Sequence, residues 1–120
     1  MMTVKSNVRF SDFPDYVEDT SVTATPVVNV FRSAGNVTMF EITNGSSDAW
    51  FQIFDSKSVT MSPAADQTAP VIEVYVKAST TLLVSCDISF TNAISYSATN
   101  SPGGSTNPSQ TVSLTLIGEP

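Results

Sequence analysis

Two neighbouring stretches, VIEVYVK at residues 71–77 and TLLVSCDI at residues 81–88, decide the fold class. In both, apolar residues recur at every second position, which is typical of a half-buried β-strand because successive side chains point to opposite faces. The apolar face comprises Ile72, Val74, Val76, Leu82, Val84, Cys86 and Ile88, and the opposite face includes Glu73, Tyr75, Lys77, Ser85 and Asp87. The pattern predicts two amphipathic strands that share a core.

Outward from these stretches, further apolar and β-branched runs recur with turn signals between them. The runs are residues 23–31, 36–43, 49–54, 94–99 and 111–118. Asn44 and Gly45 form a pair that tolerates positive φ and suits a hairpin connection. No segment keeps a 3.6-residue period. We therefore expect an all-β fold, an antiparallel β-sandwich of about seven or eight strands, jelly-roll or Ig-like, with a barrel as the alternative.

The first 20 residues differ in composition from the rest of the chain. Two basic residues precede a cluster of acidic residues, and aromatic residues lie among the acidic ones. Terminal segments stay disordered unless something holds them, so we expect residues 1–20 to form an extended arm that docks through its aromatics. Residues 21–120 are expected to form a single β-sandwich domain. The candidate contact residues of the arm are Lys5, Arg9, Phe10, Phe13 and Tyr16.

The charge balance and the missing residue types exclude several functions. Eleven acids against five bases give a net charge of −6, which disfavours nucleic acid as a partner because phosphate backbones are repelled. Histidine is absent and Cys86 is the single cysteine, so the usual general base, an internal disulfide and a Cys-rich zinc site are all missing. No apolar run is long enough to span a bilayer, which predicts a soluble protein without a membrane partner.

No pattern of reactive residues points to an enzyme. Ser56 and Lys57 are adjacent, but neighbouring side chains at a strand end point apart, so a Ser-Lys dyad is disfavoured. The acids of residues 12–19 lack the spacing of a calcium loop. The stretch SPGGS at residues 101–105 lacks the Lys and the helix of a phosphate-binding loop. We expect no catalytic residue, no metal and no cofactor.

The stretch AWFQIF at residues 49–54 contains the single tryptophan and raises a different question. Alternation puts Phe51 and Ile53 on one face and Trp50 and Phe54 on the other, so one set fills the core and the other needs a cover. A bound sugar, the amino-terminal arm or another subunit could supply that cover. Interface cores favour aromatic residues, so we expect Trp50, Phe54 or Tyr75 in a subunit interface.

The order of several stretches between residues 49 and 100 resembles small virion proteins of tailed bacteriophages. An aromatic strand ends in an Asp turn, a loop with a Pro precedes the next strand, and a Phe and a small-residue turn precede an Ile-Ser strand. The stretches are FQIFDSKS (51–58), DQTAPV (66–71), IEVYV (72–76) and SFTNAISYSATNS (89–101).

The resemblance implies a non-enzymatic head decoration, or cement, protein that stabilises the phage head by bridging capsid subunits. Its partner would be the major capsid protein, and its place the outer surface of the capsid after synthesis in the host cytoplasm. Since capsid lattices present threefold positions, we expect a homotrimer. The alternative is a tail-fibre, head-fibre or baseplate adhesin module that binds a host surface glycan.

Overall fold

The computed structural model describes residues 2–6 and 15–119, with side chains from residue 16 onward except at residue 64. Eight strands form two antiparallel sheets, and within these ranges the one helical element is a 3-10 turn at Ala64–Asp66. The prediction of an all-β sandwich is confirmed. The strands are β1 (Met2–Ser6), β2 (Asp15–Asp19), β3 (Gly35–Asn44), β4 (Ala49–Asp55), β5 (Ile72–Val76), β6 (Thr81–Phe90), β7 (Ile94–Thr99) and β8 (Val112–Glu119).

The two sheets differ in size and pack face to face. The larger sheet has the order β1-β2-β8-β3-β6 and the smaller has the order β5-β4-β7. Phe40 of the larger sheet meets Phe51 of the smaller with ring centroids 5.5 Å apart, and Phe51 in turn lies 6.1 Å from the Tyr96 ring. All three are fully buried. The core therefore lies between the sheets, as the alternating apolar positions require.

The alternation that decides the fold class is retained in the structure. In β5 the side chains of Ile72, Val74 and Val76 turn inward while Glu73 and Tyr75 are exposed. In β6 the inward positions are Leu82, Val84, Cys86 and Ile88, all partly buried and packed against the core. Each of these strands is an edge of its sheet, which is why most of their inward residues, though not the fully buried Val76, are less buried than those of central strands.

Residues 23–31 are not a regular strand, contrary to prediction. Val27 forms one isolated bridge with Tyr96, and the Val30 amide donates to the Ile94 carbonyl at 2.9 Å. The segment follows the free edge of β7, but Asn29 takes φ 50° and breaks the extended path. A non-glycine residue at positive φ is incompatible with a strand. The segment therefore covers the sheet edge without extending it.

The described part of the predicted arm lies in the larger sheet. Strands β1 and β2 pair with each other, and β2 adds to β8 with Val17 opposite Leu116. Val17 is fully buried and Asp19 is 4% exposed. Of the candidate arm residues, Lys5 is in register with the partly buried Tyr16, and the Lys5 side chain is not described. Three others lie outside the described residues: Arg9, Phe10 and Phe13.

Candidate functional site

The outer face of the smaller sheet carries a polar network in its middle row. Gln52 of β4 lies opposite Glu73 of β5 and Ser97 of β7. The Gln52 amide nitrogen donates to a Glu73 carboxylate oxygen at 3.0 Å, and the Ser97 hydroxyl donates to the Gln52 amide oxygen at 2.9 Å. Gln52 is 2% exposed and Ser97 is fully buried. These hydrogen bonds satisfy polar groups that burial would otherwise make costly.

Two long loops of the same chain cover this network. Met61, in the loop of residues 56–70, places its sulfur 4.0 Å from the Ser97 hydroxyl. From the loop of residues 100–110, the Gly103 amide donates to the Glu73 carboxylate at 3.3 Å. The cover over this part of the face is therefore the chain's own loops, which none of the three covers considered from the sequence anticipated.

Phe54 lies on the same outer face and is 1% exposed within the single chain. It is in register with Ser95, whose hydroxyl donates to the Ser56 carbonyl at 2.6 Å where the 56–70 loop begins. A side chain so enclosed presents no surface to a second subunit. Of the three interface candidates, Trp50 and Tyr75 remain at the surface.

Trp50 and Tyr75 form what we call the aromatic pair, at one end of the smaller sheet. They face each other across β4 and β5 with ring centroids 5.2 Å apart and planes tilted by 45°. Trp50 is partly buried and Tyr75 is 50% exposed. Partial desolvation, followed by a hydrogen bond to the Asp48 carboxylate, raises the pKa of the Tyr75 hydroxyl. The arrangement offers ring faces and a carboxylate on a rigid strand pair.

Asp55 holds a turn and does not form a reactive site. Its carboxylate accepts hydrogen bonds from the amides of Thr91, Asn92 and Ala93 at 3.1, 2.8 and 3.2 Å. Desolvation by itself would raise the pKa of Asp55, but these backbone donors outweigh it and the pKa is lowered. The carboxylate thereby fixes the connection between β6 and β7.

The side chains of Ser56, Lys57 and Cys86, which could suggest a catalytic role, do not form a reactive site. The Ser56 hydroxyl donates to the Ser58 carbonyl, and Lys57 is exposed. The Cys86 thiol contacts the Val37 carbonyl at 3.4 Å, and burial, with a smaller effect from the Asp87 charge, raises the pKa of this thiol. A raised pKa keeps the thiol protonated and slow to react at neutral pH.

Among the side chains that the structure describes, no three or more of His, Cys, Asp or Glu come together in a group that could hold a metal ion. An open groove of about 470 Å³ lies where three connecting segments meet, and no titratable side chain lines it. Its lining residues are Ala24, Thr25, Pro26, Val59, Met61, Ser62, Ser105 and Asn107. The groove can offer hydroxyl and amide hydrogen bonds and apolar contact, but no proton transfer.

The structure brings together two of the predicted interface residues, Trp50 and Tyr75, and separates Phe54 from them. Sequence reasoning missed Asp48 and the turn-holding role of Asp55. Asp48 precedes β4 and Asp55 is its last residue, so position alone marks them as strand-end polar residues, and only the fold shows which groups they contact. The described helical segment is neither long nor apolar enough to cross a membrane.

Comparisons with known proteins returned no matching family, no matching curated protein and no matching solved structure.

Proposed function

We propose that the protein is a non-enzymatic component of a bacteriophage particle, a decoration protein that binds the outer surface of the assembled capsid. The observation that supports it most is the aromatic pair, Trp50 and Tyr75, held at the surface of a rigid strand pair. Tyr and Trp are the side chains most often found at the energetic centre of protein interfaces. The capsid as partner follows from the resemblance of residues 49–100 to virion proteins.

Electrostatics and thermodynamics are consistent with this role. A net charge of −6 suits the outside of a shell better than contact with packaged DNA. A ligand that binds the assembled lattice and not free subunits stabilises the lattice by mass action. Many copies on one particle need weak contacts only, because each additional attachment raises the effective concentration of the next.

The test uses emptied phage heads that lack the protein. We expect saturable binding in a fixed ratio and a higher disruption temperature of the heads. Tyr75→Ala should weaken binding at least about tenfold, as loss of an interface aromatic does. Val28→Ala is the matched control, since Val28 is another exposed apolar residue, at 44%, in the segment beside β7, at the opposite edge of the smaller sheet from Tyr75. Absence of binding to heads from the cognate phage would refute the proposal.

The amino-terminal contact residues belong to the same proposal. Tyr16 sits on the outward face of the larger sheet, since its neighbour Val17 points into the core, and Lys5 is its register partner. Tyr16→Ala should weaken head binding without unfolding the domain. If binding is unchanged while Tyr75→Ala abolishes it, the contact is confined to the smaller sheet.

A glycan-binding adhesin module is the second candidate, and the Asp48 carboxylate beside Tyr75 favours it. Aromatic faces stack on sugar rings while carboxylates accept hydroxyl hydrogen bonds. Trp50 is the single tryptophan, so its fluorescence reports directly on occupancy of this surface. Titration with host polysaccharide should change the emission if the adhesin function is correct. Binding to host cells but not to heads would favour this function over decoration.

A further inference from the structure

Strand β6 leaves one side of its backbone unpaired. It pairs with β3 on the other side, and no described strand lies beyond it in the larger sheet. The strand is ten residues long and contains no Pro, Lys or Arg. Natural proteins usually protect long edge strands with such residues, because a free row of N–H and C=O groups is a template for another strand.

The side chains at this edge are more apolar than a solvent-facing edge requires. Leu83 points outward and is 56% exposed, the highest value among the exposed large hydrophobic residues. Its inward neighbours Leu82 and Val84 are only partly buried, as are Ile72 and Val74 of β5 on the other sheet. The side of the sandwich between β5 and β6 is therefore an incompletely covered apolar seam.

A β-bulge limits the regular part of this edge. Val37 pairs with Ile88 and Met39 pairs with Ser85, so that two residues of β6 lie opposite one residue of β3. Bulges twist a strand and interrupt its pairing. The segment free for regular pairing is residues 81–85, and Leu83 is its central residue.

We propose that a second copy of this chain pairs antiparallel with β6 about a twofold axis that passes beside Leu83. Leu83 then lies opposite Leu83 of the second copy, Leu82 opposite Val84, and Thr81 opposite Ser85. Every pair joins like with like, apolar with apolar and hydroxyl with hydroxyl, which are the cross-strand combinations that stabilise sheets. A twofold contact requires this self-complementarity.

Charge supports a second copy as the occupant and also selects the register. Residues 81–85 carry no charge, so the contact itself opposes no like charges despite the net −6 of each chain. Continued past the strand, the same register places Ser79 of one copy opposite Asp87 of the other, so no carboxylate opposes another carboxylate across the contact. A pairing centred on Cys86 would instead place the two Asp87 carboxylates diagonally next to each other.

Sedimentation velocity of the full chain over a range of concentrations tests the pairing. We expect a monomer–dimer equilibrium that Leu83→Lys shifts by roughly 100-fold in dissociation constant, because each dimer loses two buried Leu side chains. Val28→Lys is the control with the same added charge on an exposed apolar site away from β6. The unfolding temperature of each variant, compared with the wild type, shows that it is folded.

Cross-linking tests the register separately. In a Cys86→Ser background, Leu83→Cys should form a disulfide-linked dimer on mild oxidation, while Val28→Cys should not, because directly opposed residues approach closely enough for the bond. A monomer at all concentrations, a trimer, or a dimer that Leu83→Lys leaves unchanged would overturn the pairing. A trimer would instead support the assembly expected from the sequence. Head binding is measured in a separate assay, so a failure of the proposed β6 pairing can be told apart from a failure of the proposed capsid binding.

Discussion

The hydroxyl of Tyr96 makes a buried hydrogen bond between the two sheets, and its removal gives the sharpest stability prediction. Tyr96 in β7 donates to a carboxylate oxygen of Asp19 in β2 at 2.8 Å, with the two residues 0% and 4% exposed. Tyr96→Phe keeps the ring and opens no large cavity, but it leaves a buried carboxylate oxygen without its donor. Such a loss costs about 1 to 3 kcal/mol of unfolding free energy. At this chain length, 2 kcal/mol corresponds to roughly 6 to 10 °C in Tm.

Urea unfolding followed by circular dichroism measures the change directly. Tyr75→Phe is the matched control, because the same atom is removed from a half-exposed tyrosine whose hydroxyl contacts Asp48. We expect that control to stay within about 0.5 kcal/mol of the wild type. If Tyr96→Phe is as mild as the control, the hydrogen bond does not stabilise the fold and β2 is not anchored through Asp19.

Three further predictions concern folding. Trp50→Ala should cost about 1 to 2 kcal/mol because the ring is only partly buried, whereas Phe51→Ala on the core side should cost about 3 to 5 kcal/mol by thermal unfolding. Asp55→Asn should destabilise the protein at pH 7. Because the pKa of Asp55 is lowered by folding, this contribution is complete above the unfolded-state pKa near 3.8 and disappears as pH falls through the folded pKa, so the two proteins should converge in acid melts. Deletion of residues 1–14 should leave a folded domain, and deletion of residues 1–19 should destabilise it strongly, since the second removes a buried strand.

Local pattern was sufficient to predict the strands at residues 36–43, 49–54 and 94–99 because their inward positions are consistently apolar. The same alternation correctly predicted which residues of β5 point into the core and which are exposed. Residues 15–19 gave no such signal, since DYVED offers one inward apolar residue, Val17, among acids. The second inward position is Asp19, whose carboxylate accepts hydrogen bonds from the nearby Ser21 amide and from the Tyr96 hydroxyl, 77 residues away in sequence. A partner that distant cannot be predicted from local periodicity.

The candidate site was predicted in part for the same reason. Alternation correctly placed Trp50 and Phe54 on the same face of the strand, opposite Phe51 and Ile53. Which of them reaches solvent depends on the paths of two loops, and those paths are set by long-range contacts such as that of Met61 with Ser97. Pairing of Trp50 with Tyr75 required the register between β4 and β5, which turn residues alone do not determine across the 16 residues, 56–71, that connect the two strands.

The position of β8 in the middle of the larger sheet has a consequence for synthesis of the protein. This strand, Val112–Glu119, lies between β2 and β3 and supplies the pairing partner for both. The ribosome therefore releases β2 and β3 long before β8 is available to pair with either of them. The nascent chain consequently exposes apolar strands throughout elongation. Sheets assembled from strands so distant in sequence form slowly. Protection of the emerging chain by a chaperone, and expression at low temperature, should raise the yield of soluble protein.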